Sequence, residues 1–329
     1  MIWTPGAARA ARRIATAAAL GGGGMTALGA AAYALLLTEA ALARRIVGRP
    51  VSEDGPPSDG VYGEDSAGDG APPISMVVLG DSTSVGLGMT DPKDTPGVNL
   101  ALGLAAMAER PVRLTVVGRS GAISRDLDAQ VDRALEAAPD LAVVFIGAND
   151  VTTQTRPATA VRHLQDAVRR LREAGAEVVV GTCPDLGTVR PIAQPLRWVT
   201  RRWSRQLAAA QTIAVIEAGG RTVSFADLLG PSFMTNPAEM FGPDRFHPSA
   251  RGYLQAAYTV LPSVCAALDL WPEPSPERVE GSQYLLAAMA VEEPGTEVTA
   301  TRVAGRAVGP HGRWAMLLRR RRDAVSPHT

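Results

Sequence analysis

Short runs of apolar residues alternate with longer amphipathic stretches through the middle of the chain. Four mainly apolar runs predict buried strands at residues 74–79, 112–117, 141–146 and 177–182, and a weaker fifth run covers residues 222–225. Apolar residues recur at helical spacing over residues 98–109, 124–138, 158–174, 196–217 and 249–268. Apolar strands separated by helices of this length are typical of a parallel sheet covered on both faces. The pattern therefore predicts an α/β fold with a five-stranded parallel sheet.

Polar residues follow three of these strands, at the edge where a parallel sheet binds its ligands. The first strand runs into Gly-Asp-Ser ending at Ser82, the second into Ser-Gly ending at Gly121, and the third into Gly-Ala-Asn-Asp containing Asn149. Asp244 and His247 stand three residues apart, just before the last predicted helix. A hydroxyl, an imidazole, a carboxylate and an amide are therefore expected to face one crevice.

These residue types suit nucleophilic catalysis. A serine hydroxyl is a weak nucleophile until an imidazole takes its proton, and a carboxylate must hold that imidazole in the right tautomer. The spacing of Asp244 and His247 lets one turn present both side chains. The tetrahedral oxyanion then needs preorganised donors, which the N–H groups of Ser82 and Gly121 and the amide of Asn149 could supply.

These motifs resemble the SGNH/GDSL family of serine esterases and lipases, over residues 74–270. The similarity rests on four blocks in the family's order: Gly-Asp-Ser at Ser82, Ser-Gly at Gly121, Gly-Ala-Asn-Asp at Asn149, and Asp244 with His247. The resemblance implies Ser82 as nucleophile, His247 as general base, Asp244 as its orienting partner, and an oxyanion hole of Ser82, Gly121 and Asn149. It also implies a flavodoxin-like three-layer α/β/α sandwich. The chain looks most like exported or membrane-anchored members from actinobacteria.

Polar residues around these blocks are expected to have supporting roles. Asp81 and Asp150 are interpreted as carboxylates that accept backbone N–H groups and fix their turns. Arg245 lies inside the Asp-to-His turn and is either a contact for an anionic part of a substrate or a solvated side chain. The walls of the substrate pocket are expected from residues 86–98 and 182–195.

The composition excludes several classes of protein. Lys plus Arg number 33 and Asp plus Glu number 33, so the formal net charge is zero and no nucleic-acid partner is expected. Two cysteines, Cys183 and Cys265, are too few for a disulfide scaffold or a cysteine zinc site, and their mutual pairing stays open. Four histidines without a paired motif predict no metal, and no phosphate-binding motif is present, so no cofactor is expected.

The N-terminal residues 1–50 are predicted to be a signal or membrane-anchor segment. Residues 14–38 are uncharged and follow three arginines, and a bilayer core needs roughly 20 apolar residues. Two interpretations stay open: an export signal cleaved near residues 41–43, and an uncleaved anchor. Both put the catalytic domain in the cell envelope, outside the cytoplasm, secreted or attached to a membrane.

The other boundaries follow from composition. Residues 51–73 are rich in Gly, Pro, Ser, Asp and Glu and predict a flexible acidic linker. The structured domain is expected over residues 74–270, because the prolines after it break any helix. Residues 271–329 are expected to be an extension with one helix at 278–291 and a basic tail containing four arginines at 319–322.

The sequence leaves three functions to consider. The first is a serine esterase or lipase acting on small-molecule, lipid or glycan esters. The second is a carbohydrate deacetylase or acyltransferase that uses the same site. The third is a non-catalytic, membrane-tethered binding protein, which has no physical need for five groups of this kind. The sequence therefore favours the esterase.

Overall fold

The computed structural model describes residues 23–47, 54–66 and 72–270, together with two short paired strands at residues 302–303 and 306–307. The helix expected at residues 278–291, the basic tail and residues 14–22 of the uncharged stretch lie outside the described residues. The main strands are β1 (Gly60–Tyr62), β2 (Ile74–Gly80), β3 (Val112–Val116), β4 (Leu141–Phe145), β5 (Glu177–Gly181) and β6 (Arg221–Val223). The short pair is β7 (Arg302–Val303) and β8 (Arg306–Ala307).

Ten helices accompany the strands in the described part of the chain. They are α1 (Gly23–Ile46), α2 (Pro96–Ala108), α3 (Leu127–Glu136), α4 (Ala148–Thr152), α5 (Pro157–Glu173), α6 (Leu196–Glu217), α7 (Phe225–Leu228), α8 (Gly230–Thr235), α9 (Pro237–Met240) and α10 (Ala250–Ala267). The five long helices predicted between residues 98 and 268 are confirmed. The four short helices α4, α7, α8 and α9 were not predicted, because each is too short to show a periodic pattern.

The main sheet has six strands in the order β1-β3-β2-β4-β5-β6. Strands β2 to β6 are parallel, with Gly80 opposite Phe145 and Phe145 opposite Gly181, so their carboxyl ends share one edge. The five-stranded parallel sheet expected from the sequence is therefore confirmed. It brings the Gly-Asp-Ser block at Ser82 and the Gly-Ala-Asn-Asp block at Asn149 to neighbouring strand ends.

The core has two parts, one on each face of the sheet. Along β2, Met76 and Val78 pack into the cluster that includes α2 and α10, whereas Val77 and Leu79 pack into the cluster that includes α3 and α5. This alternation follows from the two-residue period of a strand. Since both faces are buried, the molecule is a three-layer α/β/α sandwich, and polar side chains are concentrated where strands end.

The segment predicted as a flexible linker contributes a strand. Residues 60–62 pair antiparallel with β3 as β1, at the edge of the sheet. Tyr62 packs against the core and donates its hydroxyl to the carbonyl of Ser58 at 2.8 Å, and Asp59 Oδ1 accepts the N–H of Val116 at 2.8 Å. The boundary drawn at Ile74 is therefore too late. A strand of three residues in a polar segment shows no apolar alternation, so composition alone suggests a linker.

Helix α1 lies against the three-layer domain, with its one acidic side chain buried and several apolar side chains exposed. Its one acidic residue, Glu39, is buried and accepts the N–H of Leu196 at the start of α6, at 2.8 Å, and Ala43 is also buried. Tyr33, Leu35 and Leu42 are exposed instead. No helix among the described residues combines the length and the hydropathy that a membrane-spanning helix requires.

Candidate active site

Ser82 lies on a tight turn directly after β2. Gly80 ends the strand with φ of 128°, where an added Cβ would lie 1.8 Å from the carbonyl oxygen of Phe145, so only glycine fits. The next N–H, of Asp81, donates to that same carbonyl at 2.9 Å. Asp81 Oδ1 accepts the N–H of Thr83 at 3.0 Å, as expected for a carboxylate that fixes its turn. Backbone contacts therefore hold Ser82, which is only 8% exposed, in one position.

Asp244 and His247 form the contact that their spacing predicts. His247 Nδ1 lies 2.6 Å from Asp244 Oδ2, while Asp244 Oδ1 accepts the N–H groups of Phe246 and His247 at 3.0 Å each. Burial by itself raises the pKa of Asp244, but the hydrogen bonds from His247 and from these N–H groups outweigh it and lower that pKa below its ordinary value. The carboxylate therefore stays ionised and accepts a hydrogen bond from the N–H at Nδ1, which leaves Nε2 as the basic nitrogen.

Ser82 and His247 line the same cavity, whose volume is about 90 Å³. Its walls are mainly apolar, with five phenylalanines: Phe145, Phe225, Phe233, Phe241 and Phe246. The expected wall at residues 182–195 is present, since residues 182, 184–186 and 188–189 line the cavity. The expected wall at residues 86–98 is wrong, because this fully described segment contributes no lining residue. It packs instead beneath α10, where Leu87 accepts the hydroxyl of the buried Tyr253 at 2.9 Å.

Gly118 and Gly121, the two glycines that follow β3, have different surroundings. A Cβ at Gly118 would lie 1.8 Å from the hydroxyl of Ser84, so this glycine is needed for packing. Gly121 has φ of 76° and open space around the position of a Cβ. In the described part of the chain, the N–H groups of Ser82 and Gly121 donate to no other group. Both remain available as donors.

Two contacts join the loop that contains Gly121 to the block that contains Asn149. Asn149 Nδ2 donates to the carbonyl of Ala122 at 3.0 Å, which leaves its second amide hydrogen unassigned. The buried carboxylate of Asp150 accepts both the N–H of Ser124, at 3.0 Å, and its hydroxyl, at 2.8 Å. Asp150 is thus a turn-fixing carboxylate, as expected, but it fixes the neighbouring turn rather than its own.

Arg245 has a contact that the sequence did not indicate. Its guanidinium Nη2 donates to the carbonyl of Ile46, at the end of α1, at 2.8 Å, and its backbone has φ of 59°. A cation at a helix C-terminus is electrostatically favourable. This contact spans almost the whole domain in sequence, so a local motif gives no sign of it.

The two cysteines of the chain lie in its described part. Cys183 and Cys265 are both buried, unpaired thiols. Burial, with a smaller contribution from Asp81 and Asp150, raises the pKa of Cys183 well above its ordinary value, so the thiol is poorly nucleophilic. Among the described residues, no group of three or more His, Cys, Asp or Glu side chains is arranged to hold a metal ion.

The chain is similar to several known proteins. The model of the GDSL-like lipase/acylhydrolase family matches residues 78–255. The chain is 42% identical over 258 residues to the GDSL-like esterase Rv1075c of Mycobacterium tuberculosis, covering 74% of this chain and 79% of that protein. The acetylxylan esterase Axe2 from Geobacillus stearothermophilus matches with 20% identity and a TM-score of 0.48, covering 59% of this chain and 95% of that one. LAE5, an alpha/beta hydrolase from the metagenome of Lake Arreo, matches with 21% identity and a TM-score of 0.48, covering 62% and 98%.

The buried carboxyl of Asp81 should make the stability of the fold depend on pH. Burial raises the pKa of Asp81 to about 6, against the opposing effects of Thr83 and His247. Between about pH 4 and 6 the folded protein keeps a proton that the unfolded chain has lost, so the free energy of unfolding falls as pH rises. A difference of about two pKa units corresponds to about 3 kcal/mol. The free energy of unfolding of the natural protein, minus that of Asp81→Asn, should therefore fall by most of this amount between pH 4 and pH 7.5. Urea unfolding at both pH values measures it.

Asp91→Asn is the matched control for this measurement. Asp91 Oδ1 accepts the N–H of Lys93 at 2.9 Å, in the same two-residue arrangement as Asp81 and Thr83, but Asp91 is exposed. This variant should leave the pH dependence unchanged. An Asp81→Asn variant with the same stability difference from the natural protein at both pH values would contradict the role given to burial.

Proposed function

The chain belongs to the GDSL-like lipase/acylhydrolase family and is a hydrolase of ester bonds, and we propose that Ser82 is its nucleophile, with His247 as general base and Asp244 as the carboxylate that orients it. One observation carries this proposal. The hydrogen-bonded pair of Asp244 and His247 opens into the cavity that Ser82 also lines, with Nε2 left as the basic nitrogen.

The proposed reaction has two stages. Ser82 Oγ attacks the ester carbonyl carbon while His247 Nε2 takes the hydroxyl proton, and the carbonyl oxygen becomes negatively charged. The C–O bond to the alcohol breaks as His247 returns the proton to the leaving oxygen, which leaves the acyl group on Ser82. Water then attacks the acyl-enzyme by the same proton transfers, releasing the carboxylic acid and restoring Ser82.

We assign the oxyanion hole to the N–H groups of Ser82 and Gly121 and to the amide of Asn149. The two N–H groups lack acceptors in the described structure, and Asn149 keeps one amide hydrogen beyond its bond to Ala122. The Asp150–Ser124 contact keeps the two loops together, so the donors need little rearrangement when charge develops on the substrate.

The cavity supports a preference for short acyl groups. Its volume is about 90 Å³ and its lining is mainly apolar. Pockets for drug-sized ligands are several times larger. We therefore propose esters with acyl groups of a few carbons as substrates, with the alcohol part lying outside the phenylalanine-lined cavity.

Activity should depend on Ser82 and His247 as a unit. Ser82→Ala and His247→Ala should each lower turnover by several orders of magnitude, and the double variant should be little worse than either. The measurement is hydrolysis of p-nitrophenyl esters from acetyl to octanoyl, together with labelling by a fluorophosphonate probe. Acetyl to butanoyl esters should react best.

Two controls accompany this experiment. Ser84→Ala should still be labelled, because the Ser84 hydroxyl is already donated to the carbonyl of Asp81 at 2.6 Å. His163→Ala, on α5, should keep full turnover. If Ser82→Ala were labelled as fast as the natural protein, Ser82 would not be the nucleophile. A natural protein that never reacted with the probe would instead favour a non-catalytic binding role.

Asn149→Ala should separate transition-state stabilisation from a purely structural role. Loss of one oxyanion donor should lower kcat by about 10²- to 10³-fold with little change in KM. If Asn149 only joins its turn to Ala122, the variant should lose about 1 kcal/mol of stability and keep its turnover per active site. Measuring the Tm and the active-site-titrated kcat on one sample distinguishes the two. Normal turnover per site would remove Asn149 from the mechanism.

We also propose that the enzyme works in the cell envelope, with its N-terminal segment at a membrane and its catalytic domain outside the cytoplasm. This is supported by the uncharged stretch at residues 14–38 and by the exposed Tyr33, Leu35 and Leu42 of α1. A protease added to intact cells should digest the catalytic domain, and the chain should sediment with membranes. Protection of the domain until the cells are lysed would contradict this location.

A further inference from the structure

Two buried glutamines lie at the strand ends that carry the proposed catalytic groups. Gln130 is on α3 and is 5% exposed, and Gln211 is on α6 and is fully buried. Each stands among apolar neighbours on its helix, Gln130 beside Val131 and Gln211 within a turn of Leu207 and Val215. The amide of a glutamine is costly to bury unless its donor and acceptor are both used. In both glutamines the amide donor and acceptor bind backbone groups at the ends of strands.

Gln130 binds the residue that ends β2. Its Oε1 accepts the N–H of Gly80 at 2.7 Å, and its Nε2 donates to the carbonyl of Gly80 at 2.9 Å. A primary amide offers one acceptor and donors in the arrangement of a peptide group, so Gln130 can bind both polar groups of one residue. Gly80 is also the glycine whose positive φ turns the chain toward Ser82. The glutamine therefore holds both polar groups of the residue from which the nucleophile turn starts.

Gln211 makes a comparable contact at the end of β4, the strand next to β2. Its Nε2 donates to the carbonyl of Ile146, just after β4, at 3.0 Å, and its Oε1 accepts the N–H of Cys183, after β5, at 2.8 Å. The next residue, Gly147, has φ of 133°, and a Cβ there would lie 3.0 Å from Gln211 Nε2. The amide thus bridges two strands where they separate and packs against the glycine that turns the chain toward Asn149.

The end of β3 shows that such a contact is not required at every strand end. There the backbone continues its own pairing, with the N–H of Val117 donating to the carbonyl of Val78 at 3.0 Å. The ends of β2 and β4 instead turn sharply at glycines. There the N–H of Gly80 and the carbonyl of Ile146 bind the glutamine amides, whereas the carbonyl of Gly80 also accepts the N–H of Arg119 at 3.0 Å. From this placement we infer that Gln130 and Gln211 are positioning residues, which set the geometry of Ser82 and Asn149 respectively. The inference rests on the proposed function.

Gln130→Met and Gln211→Met test this role, because methionine has a similar length and volume but cannot replace either hydrogen bond. Each variant should lower kcat per titrated active site by about 10- to 100-fold and leave KM within about twofold, since a misplacement of about 1 Å is enough for such a loss. Each should also lower the rate of labelling by a fluorophosphonate probe. Combined with Asn149→Ala, Gln211→Met should have much less than its separate effect, because it acts through Asn149.

Thr212→Val is the matched control for the loss of a buried hydrogen bond. Thr212 is next to Gln211, and its hydroxyl donates at 3.0 Å to Ala208 within the same helix, away from the strand ends. This variant should lower the Tm but keep kcat per site. If both glutamine variants behaved in the same way, with a lower Tm and normal kcat per site, the inference would be overturned.

Two further measurements keep the outcome clear. If a methionine variant does not fold, Gln130→Glu and Gln211→Glu keep one acceptor oxygen, and reduced kcat per titrated site is again expected. Ser82→Ala is measured in parallel. An inactive Ser82→Ala variant beside fully active glutamine variants would overturn only this inference, whereas an active Ser82→Ala variant would overturn the proposed function and this inference with it.

Discussion

The structure depends on the need to satisfy peptide groups where buried parallel strands end. Strands β2 and β4 are covered on both faces, so neither face has room for polar side chains. Chemistry is confined to their carboxyl ends, where ladder pairing stops and the peptide groups must find other partners. Glycines with positive φ turn the chain there, and the amides of Gln130 and Gln211 satisfy the peptide groups beside those turns. The turns toward Ser82 and Asn149 are therefore held rigidly without any loop of their own.

Three of the buried carboxylates near the site, Asp81, Asp150 and Asp244, have different electrostatic environments. Asp244 receives three hydrogen bonds, one of them from the imidazole of His247, and its pKa is lowered despite its burial. Asp81 receives less compensation, and burial raises its pKa to about 6. Burial also raises the pKa of Asp150, although Ser124 donates to it twice. Only the carboxylate that contacts the imidazole is thus stabilised in its charged form, which is the state needed to orient a general base.

Helix α1 is joined to the catalytic domain at two places, one of them beside the site. Glu39 accepts an N–H at the start of α6, and the carbonyl of Ile46 accepts the guanidinium of Arg245, which stands between Asp244 and His247. In this structure the helix packs as part of the domain. Its leucines Leu35 and Leu42 are exposed, whereas its one carboxylate, Glu39, is buried.

The sequence by itself determined the sheet, its long helices and the four polar blocks. Apolar strands and periodic helices are local patterns, and the three-residue spacing of Asp244 and His247 places both side chains on one turn. Tertiary structure alone decided which groups support them. The polar segment around Tyr62 is an edge strand only through its pairing with β3, which lies far along the chain. Helices too short to show a period form part of the cavity wall. Gln130, Gln211 and Arg245 bind partners dozens of residues or more away. A single polar residue in a helix does not reveal such a partner, because the partner is set by how the layers pack.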